Sequence, residues 1–405
     1  SNAALDSVST ELKERMISVN PGFGTVPGST VAVAVASRGT HDLPVIVDEV
    51  IGYLKKIGLR PFLFPAMGSH GGGTAEGQRE VIRKLLQGCT HKDVPIVSSM
   101  DVVSLGSIRI DGSEGPEIWF SQDALKADHI VVINRVKPHT LFRSSVESGL
   151  CKILTVGCGK REGAANMHRY DLSKTVIPAA ELVLKKAPVL FGVSVTETAE
   201  GRTHTIEVVK PDRFVSSDRE MLAVARTLLP VIPTDTLDFL LVDEIGKNIS
   251  GPGMDTNVIG FWRRDGGPRE PYYRFLGVRD IAESSMGNAT GIGMADFTTR
   301  RVLEKIDWDS TYLNALTAGT PRNGCCPIIT RDDKHMVSLV MSLLPSGRVP
   351  RIAHIRNTLD LDVMHVSRPV AEDIEVLPEF SVSHTPLTWR FGDDGALIGF
   401  RSGDK

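Results

Sequence analysis

Two hydrophobic periods alternate along the first half of the chain. Residues 31–36 (VAVAVA) are continuously apolar and β-prone, which predicts a buried strand. Asp42 then precedes LPVIVDEVIGYLKKIG, where apolar residues recur at helical spacing up to a stop at Gly58. Residues 61–65 (PFLFP) read as a strand that runs into the loop MGSHGGGT and a helix over AEGQREVIRKLLQG. Residues 128–136 (DHIVVINRV) predict another buried strand, followed by a loop holding Lys137, Pro138 and His139. The spacing predicts a helix over Ser144–Val156, a glycine-rich turn over GCGKREGAA, and strands over 189–197 and 204–209. Strands alternating with amphipathic helices define an α/β fold.

Residues 210–235 hold one helix and then Pro230 and Pro233, which mark a boundary. The expected domains are therefore 1–235 and 236–405, two α/β domains with the active site in the cleft between them. The second opens with the strand DFLLVDEIG (238–246) and continues through SGPGMDTN, a Gly/Pro-rich stretch at 265–272, GIGMADFTTRRVLEKI and a strand-rich end. A length of 405 residues suits such a division and allows large cores without metal or disulfide staples.

Composition narrows the function classes. With 41% hydrophobic and 23% charged residues the chain is globular, not disordered. A net charge of −3 removes bulk attraction to nucleic acid or to an anionic membrane. No apolar run approaches the roughly 18 residues of a membrane span. The opening SNAALDSV has neither the basic nor the apolar region of a signal peptide. Five cysteines, at 89, 151, 158, 325 and 326, suit reduced thiols and a cytoplasmic location.

Candidate chemistry gathers in the first domain. Ser37 and Arg38 follow the first strand, where α/β sheets bind ligands, and an arginine there can clamp a carboxylate or phosphate. His70 lies inside GSHGGGT, whose glycines let backbone approach a ligand closely. It is neither a dinucleotide fingerprint nor a Walker loop. His139 follows the 128–136 strand, and Pro138 biases Lys137 away from helix. Lys152 sits among Leu150, Cys151, Ile153 and Leu154, so it must snorkel, pair or be kept for its chemistry. His168 suits either a metal ligand or a helix-flanking residue. The spacing of the three histidines does not match a zinc finger or an HExxH site. Two other classes remain open: a zinc-dependent hydrolase using His70, His139 and His168, and a non-enzymatic nucleotide- or cofactor-binding protein gripping a phosphate with GSHGGGT.

GSHGGGTAEGQ (68–78), NRVKPHT (134–140), ESGLCKILTVGCGKREGAANMH (147–168), VDEIGKNISGPGMDTNVIG (242–260) and GIGMADFTTRRVLEKIDW (291–308) resemble the nickel-dependent lactate racemase family, in its lactate-racemase-like branch. The resemblance implies a racemase or epimerase of a 2-hydroxy acid, acting by proton-coupled hydride transfer to a nickel-pincer nucleotide. It implies Lys152 as the covalent anchor and His168, sixteen residues later, as the nickel ligand. His70 and His139 correspond to the family's acid/base histidines. Val35, Ala36, Ser37 and Arg38 correspond to its cofactor and substrate loop. The family's partners would be the cofactor-making enzymes and a small hydroxy acid, and protein from a standard expression host is expected to lack the cofactor. Val35 stands where the family's lactate enzymes carry aspartate, thirteen residues separate His139 from Lys152, and the second domain's substrate-touching glutamine and lysine have no clear match. These departures leave lactate itself unassigned as the substrate.

Overall fold

The computed structural model describes residues 3–37 and 40–398. The chain divides into two units after Leu229, and both are α/β. In the first unit the strands are β1 (Thr30–Val35), β2 (Arg60–Pro65), β3 (Val102–Ile110), β4 (Ser113–Ser121), β5 (His129–Arg135), β6 (Val189–Glu197) and β7 (Thr203–Val209). Five of them form one sheet in the order β2-β1-β5-β6-β7, parallel except for the β6–β7 hairpin. Strands β3 and β4 pair separately as an antiparallel ribbon.

The six long helices of this unit are α1 (Val8–Val19), α2 (Leu43–Lys56), α3 (Ala75–Leu85), α4 (Lys160–Met167), α5 (Leu172–Lys186) and α6 (Phe214–Thr227). Both sheet faces are covered, which is why β1 is apolar at every position from 31 to 35 rather than alternating. Val31, Val33 and Val35 pack with Leu12 and Met16 of α1 and with Ile46, Val50 and Leu54 of α2. Ala32 and Ala34 face the other way, toward Leu150, Leu154, Val176 and Phe214.

Two stretches differ from their expected form, and a third had no reading from the sequence. The glycines of 157–165 predict a turn, but α4 starts at Lys160, because those glycines serve close packing instead. A Cβ on Gly159 would lie 2.9 Å from the Trp119 carbonyl oxygen, and one on Gly163 would lie 3.3 Å from Trp119 Cβ. Helix predicted from Ser144 begins only at Leu150, because Glu147 and Ser148 bind loop N–H groups with their side chains. The β3–β4 ribbon has weak alternation, and its turn at Asp111-Gly112 has positive φ at both residues (50° and 81°), the geometry of a tight hairpin.

The second unit holds β8 (Thr236–Ile245), β9 (Tyr272–Ile281), β10 (Phe297–Thr299), β11 (Ile328–Thr330), β12 (Ile352–Ile355) and β13 (Met364–Val366) in the order β11-β10-β9-β8-β12-β13. β13 runs antiparallel to β12, and the other pairs are parallel. The end of the chain, expected to be strand-rich, has only these short strands among helices Trp308–Thr317, Asp333–Leu343 and Arg368–Ile374. Beneath the sheet, Arg279 donates to Asp243 and Asp333, His354 meets Asp243, and Arg301 of the helix Arg300–Lys305 meets Asp333, an ion network that joins five elements. Among the described residues no helix is long and apolar enough to cross a membrane, and all five cysteines are free.

Candidate active site

Strand β1 lies between β2, to which it connects next in the chain, and β5, which lies on its other side. That reversal of direction is a switch point, where a crevice opens beyond the carboxyl ends of parallel strands. Ser37, half-buried, follows β1. Arg38 lies outside the described residues. His70 follows β2 on an exposed loop, and the partly buried His139 follows β5. Three of the residues singled out from the sequence therefore leave neighbouring strands at one edge of one sheet.

The His70 loop is shaped by glycines with positive φ at 68, 71, 72 and 73. At Gly71 a Cβ would come within 2.7 Å of the Gly77 backbone, so the loop closes on the start of α3 only with glycine there. Two buried polar side chains brace it. Gln78 donates from Nε2 to the carbonyls of Gly68 at 2.8 Å and His70 at 3.2 Å. Lys160 Nζ donates to Pro65 O at 2.7 Å and to Gln78 Oε1 at 3.4 Å. Burial pushes the Lys160 ammonium down to about 8. The Gly68 N–H also reaches Gly157 O, so this loop is tied to the segment that carries Lys152 and His168. Gln78 and Lys160 were not among the sequence candidates; the one signal was a lysine inside a glycine cluster.

His139 is placed by a carboxylate. Glu147, wholly buried, accepts the His139 N–H at 2.6 Å and the Ser144 N–H at 3.2 Å, and it pairs with the Arg226 guanidinium at 2.7 Å and with Arg143 at 3.7 Å. The His139 ring packs on Phe142 with 4.5 Å between centroids. Its Nε2 lies 2.5 Å from Lys152 Nζ, so the predicted acid/base ring and the predicted anchor touch each other.

Lys152 ends the short turn Leu150–Lys152, which Asp218 of α6 caps by accepting the Leu150 and Cys151 N–H groups at 2.9 and 2.8 Å. Burial pushes the Asp218 carboxyl up to about 6, against the two N–H groups that favour its anion. The turn then widens, with the Cys158 N–H bonded to Ile153 O five residues back at 2.8 Å, a π-type turn of the sort that recurs at functional sites. Sequence reasoning missed Glu147 and Asp218, because Arg226 lies 79 residues from the first and Leu150 lies 68 from the second, and only the fold brings them near.

His168 ends α4. Its Nδ1 donates to Ala164 O at 2.6 Å. A carbonyl only accepts, so the proton of the neutral ring sits on Nδ1 and Nε2 keeps its lone pair. Desolvation lowers its pKa most, and the Ala164 carbonyl opposes this. The residue keeps contact with solvent, so these effects are partly screened. The result is a neutral nitrogen donor in electrostatic reach of Lys152. Among the described residues no group of three or more His, Cys, Asp or Glu side chains is placed to hold a metal, so the three-histidine arrangement of a zinc hydrolase is not formed there.

No protein-family model matches the chain, and no curated protein matches it. Solved structures with a similar fold include the lactate racemase apoprotein from Thermoanaerobacterium thermosaccharolyticum, at a TM-score of 0.53 and 10% sequence identity, with 88% of this chain and 92% of that chain covered. At such identity the likeness is one of fold.

Proposed function

We propose that this chain is a cytoplasmic isomerase that inverts the carbinol centre of a small 2-hydroxy acid with the help of a nickel-pincer nucleotide. The observation that supports it most is the pairing, within one stretch of sequence, of an amine held by an imidazole (Lys152 with His139) and a neutral nitrogen donor with its lone pair outward (His168). These suit such a cofactor: Lys152 would supply the amine that binds it covalently, and His168 would supply a nitrogen ligand to its nickel. When bound, the cofactor supplies an electrophilic ring that accepts hydride, which avoids a carbanion at a weakly acidic C–H.

The chain's own residues supply the rest. Arg38 is assigned the substrate carboxylate, which a guanidinium can clamp, and Ser37 follows β1. His70 and His139 take and return the hydroxyl proton from opposite sides of a planar keto acid, a task suited to groups that titrate near neutrality. The cofactor-making enzymes are the partners of this reading.

The test is co-expression with those enzymes, followed by nickel analysis and chiral chromatography of single-enantiomer 2-hydroxy acids. The reading expects one nickel per chain, a mass increase on Lys152 and interconversion of enantiomers. Loss of nickel on His168→Ala with the adduct retained would support the assigned ligand. Fully loaded protein that leaves every tested hydroxy acid enantiopure would overturn the reading.

A further inference from the structure

His139 meets the chain through both ring nitrogens. The Leu141 N–H donates to Nδ1 at 3.1 Å, and Nε2 lies 2.5 Å from Lys152 Nζ. A ring nitrogen that accepts a backbone N–H carries no proton, so the neutral imidazole keeps its hydrogen on Nε2. That hydrogen points at Nζ. An ammonium has three donors and no acceptor, and would set donor against donor. The contact is a hydrogen bond when Nζ carries a lone pair.

We propose that the Leu141–His139 pair holds Lys152 as a neutral amine, which makes it a nucleophile poised for acylation before any cofactor is attached. The charged and titratable groups around the pair are consistent with this order. Glu147 takes the His139 backbone N–H and is matched by Arg143 and Arg226. Asp218 is occupied by two N–H groups under the turn, and burial lowers the His168 pKa.

The inference rests on the proposed function for its meaning, since that function needs an anchor amine. It also adds something to it. An acylated Nζ no longer offers a basic lone pair, so acylation releases His139 Nε2 from the lysine and leaves the ring to serve a substrate. One ring then acts in sequence, first on the anchor and then on the substrate. It also means that His139→Ala should slow attachment at Lys152, because attachment needs the amine in its neutral form.

The experiment uses the cofactor-free chain and sulfo-N-hydroxysuccinimide acetate at pH 7. The Nζ pair forms the N–C bond, the ester C–O bond breaks, the hydroxysuccinimide leaves with that electron pair, and the amine proton passes to buffer. Peptide mass spectrometry gives the rate at each lysine. An ordinary lysine has roughly one free amine in 2,500 at this pH. Lys152 is expected to react at least about tenfold faster than the exposed Lys84, and His139→Phe should bring it down to the Lys84 rate while Lys84 itself is unchanged. In case that variant is poorly folded, 15N shifts of selectively labelled histidine in the wild type read the tautomer directly, with the His139 proton expected on Nε2. A proton on Nδ1, or equal rates at Lys152 and Lys84 in the wild type, would overturn the proposal. Fast Lys152 in the cofactor-free chain, with no isomerase activity once the chain is loaded, rejects the function and leaves this inference standing. Slow Lys152 in the cofactor-free chain, with an active loaded enzyme, does the reverse.

Discussion

Glu147 shows how one residue sets a site it never enters. Its carboxylate satisfies two loop N–H groups and an arginine while fully buried, so truncation strands all three. Glu147→Ala is expected to lower stability by about 1–3 kcal/mol, read from urea unfolding, and to speed proteolysis at 139–146. Asp218 carries a pH signature. Its folded pKa of about 6 lies above an unfolded value near 3.9, so the folded chain binds its proton more tightly. Its contribution to stability is therefore greatest below about pH 4 and is lost as pH rises toward 6. Asp218→Asn has no such proton, and the stability of wild type relative to this variant should decline between pH 4 and 6. A constant difference across that range would show that Asp218 titrates normally.

At the scale of elements, the turn carrying Lys152 depends on what a glycine permits. Gly149 has φ of 143°, and a Cβ there would sit 2.4 Å from Asp218 Oδ1. Gly149→Ala therefore strains the backbone and displaces the cap together, with an expected loss of about 2–4 kcal/mol, measurable as a lower urea midpoint. The His70 loop is held differently, by polar side chains from two helices. Gln78→Leu removes the amide that holds the Gly68 and His70 carbonyls and leaves Lys160 with one acceptor fewer. Faster amide exchange over 68–74 is expected, with exchange in β1 unchanged. Exchange that rises equally in both would mean global destabilisation instead.

For the whole molecule, each unit has its own sheet and its own buried anchor. In the second unit Asp333 is almost wholly buried and faces both Arg279 and Arg301. Removing one partner of such a network leaves buried charge uncompensated, so Asp333→Ala is expected to cost about 3–5 kcal/mol. Hydrogen exchange should locate that loss in β8, β9 and β12 rather than in the first unit's sheet, where β1, β2 and β5 carry the strand ends of the candidate site. Protection lost equally in both units would show that they unfold as one.

By itself the sequence determined the α/β class, because the VAVAVA strand, the amphipathic helix after Asp42 and the strand at 129–135 are set by local apolar periodicity. It also singled out His70, His139, Lys152 and His168, since histidine in a glycine loop and lysine in an apolar run are unusual locally. Their protonation and mutual placement were decided by tertiary structure alone. Glu147 reaches Arg226, and Leu150 reaches Asp218, across 79 and 68 residues, and no pattern along the chain records such a pairing. The glycines at 159 and 163 were misleading for the same reason. A missing side chain looks alike in a turn and in a close helix–strand contact, and only the presence of Trp119 across the gap distinguishes them.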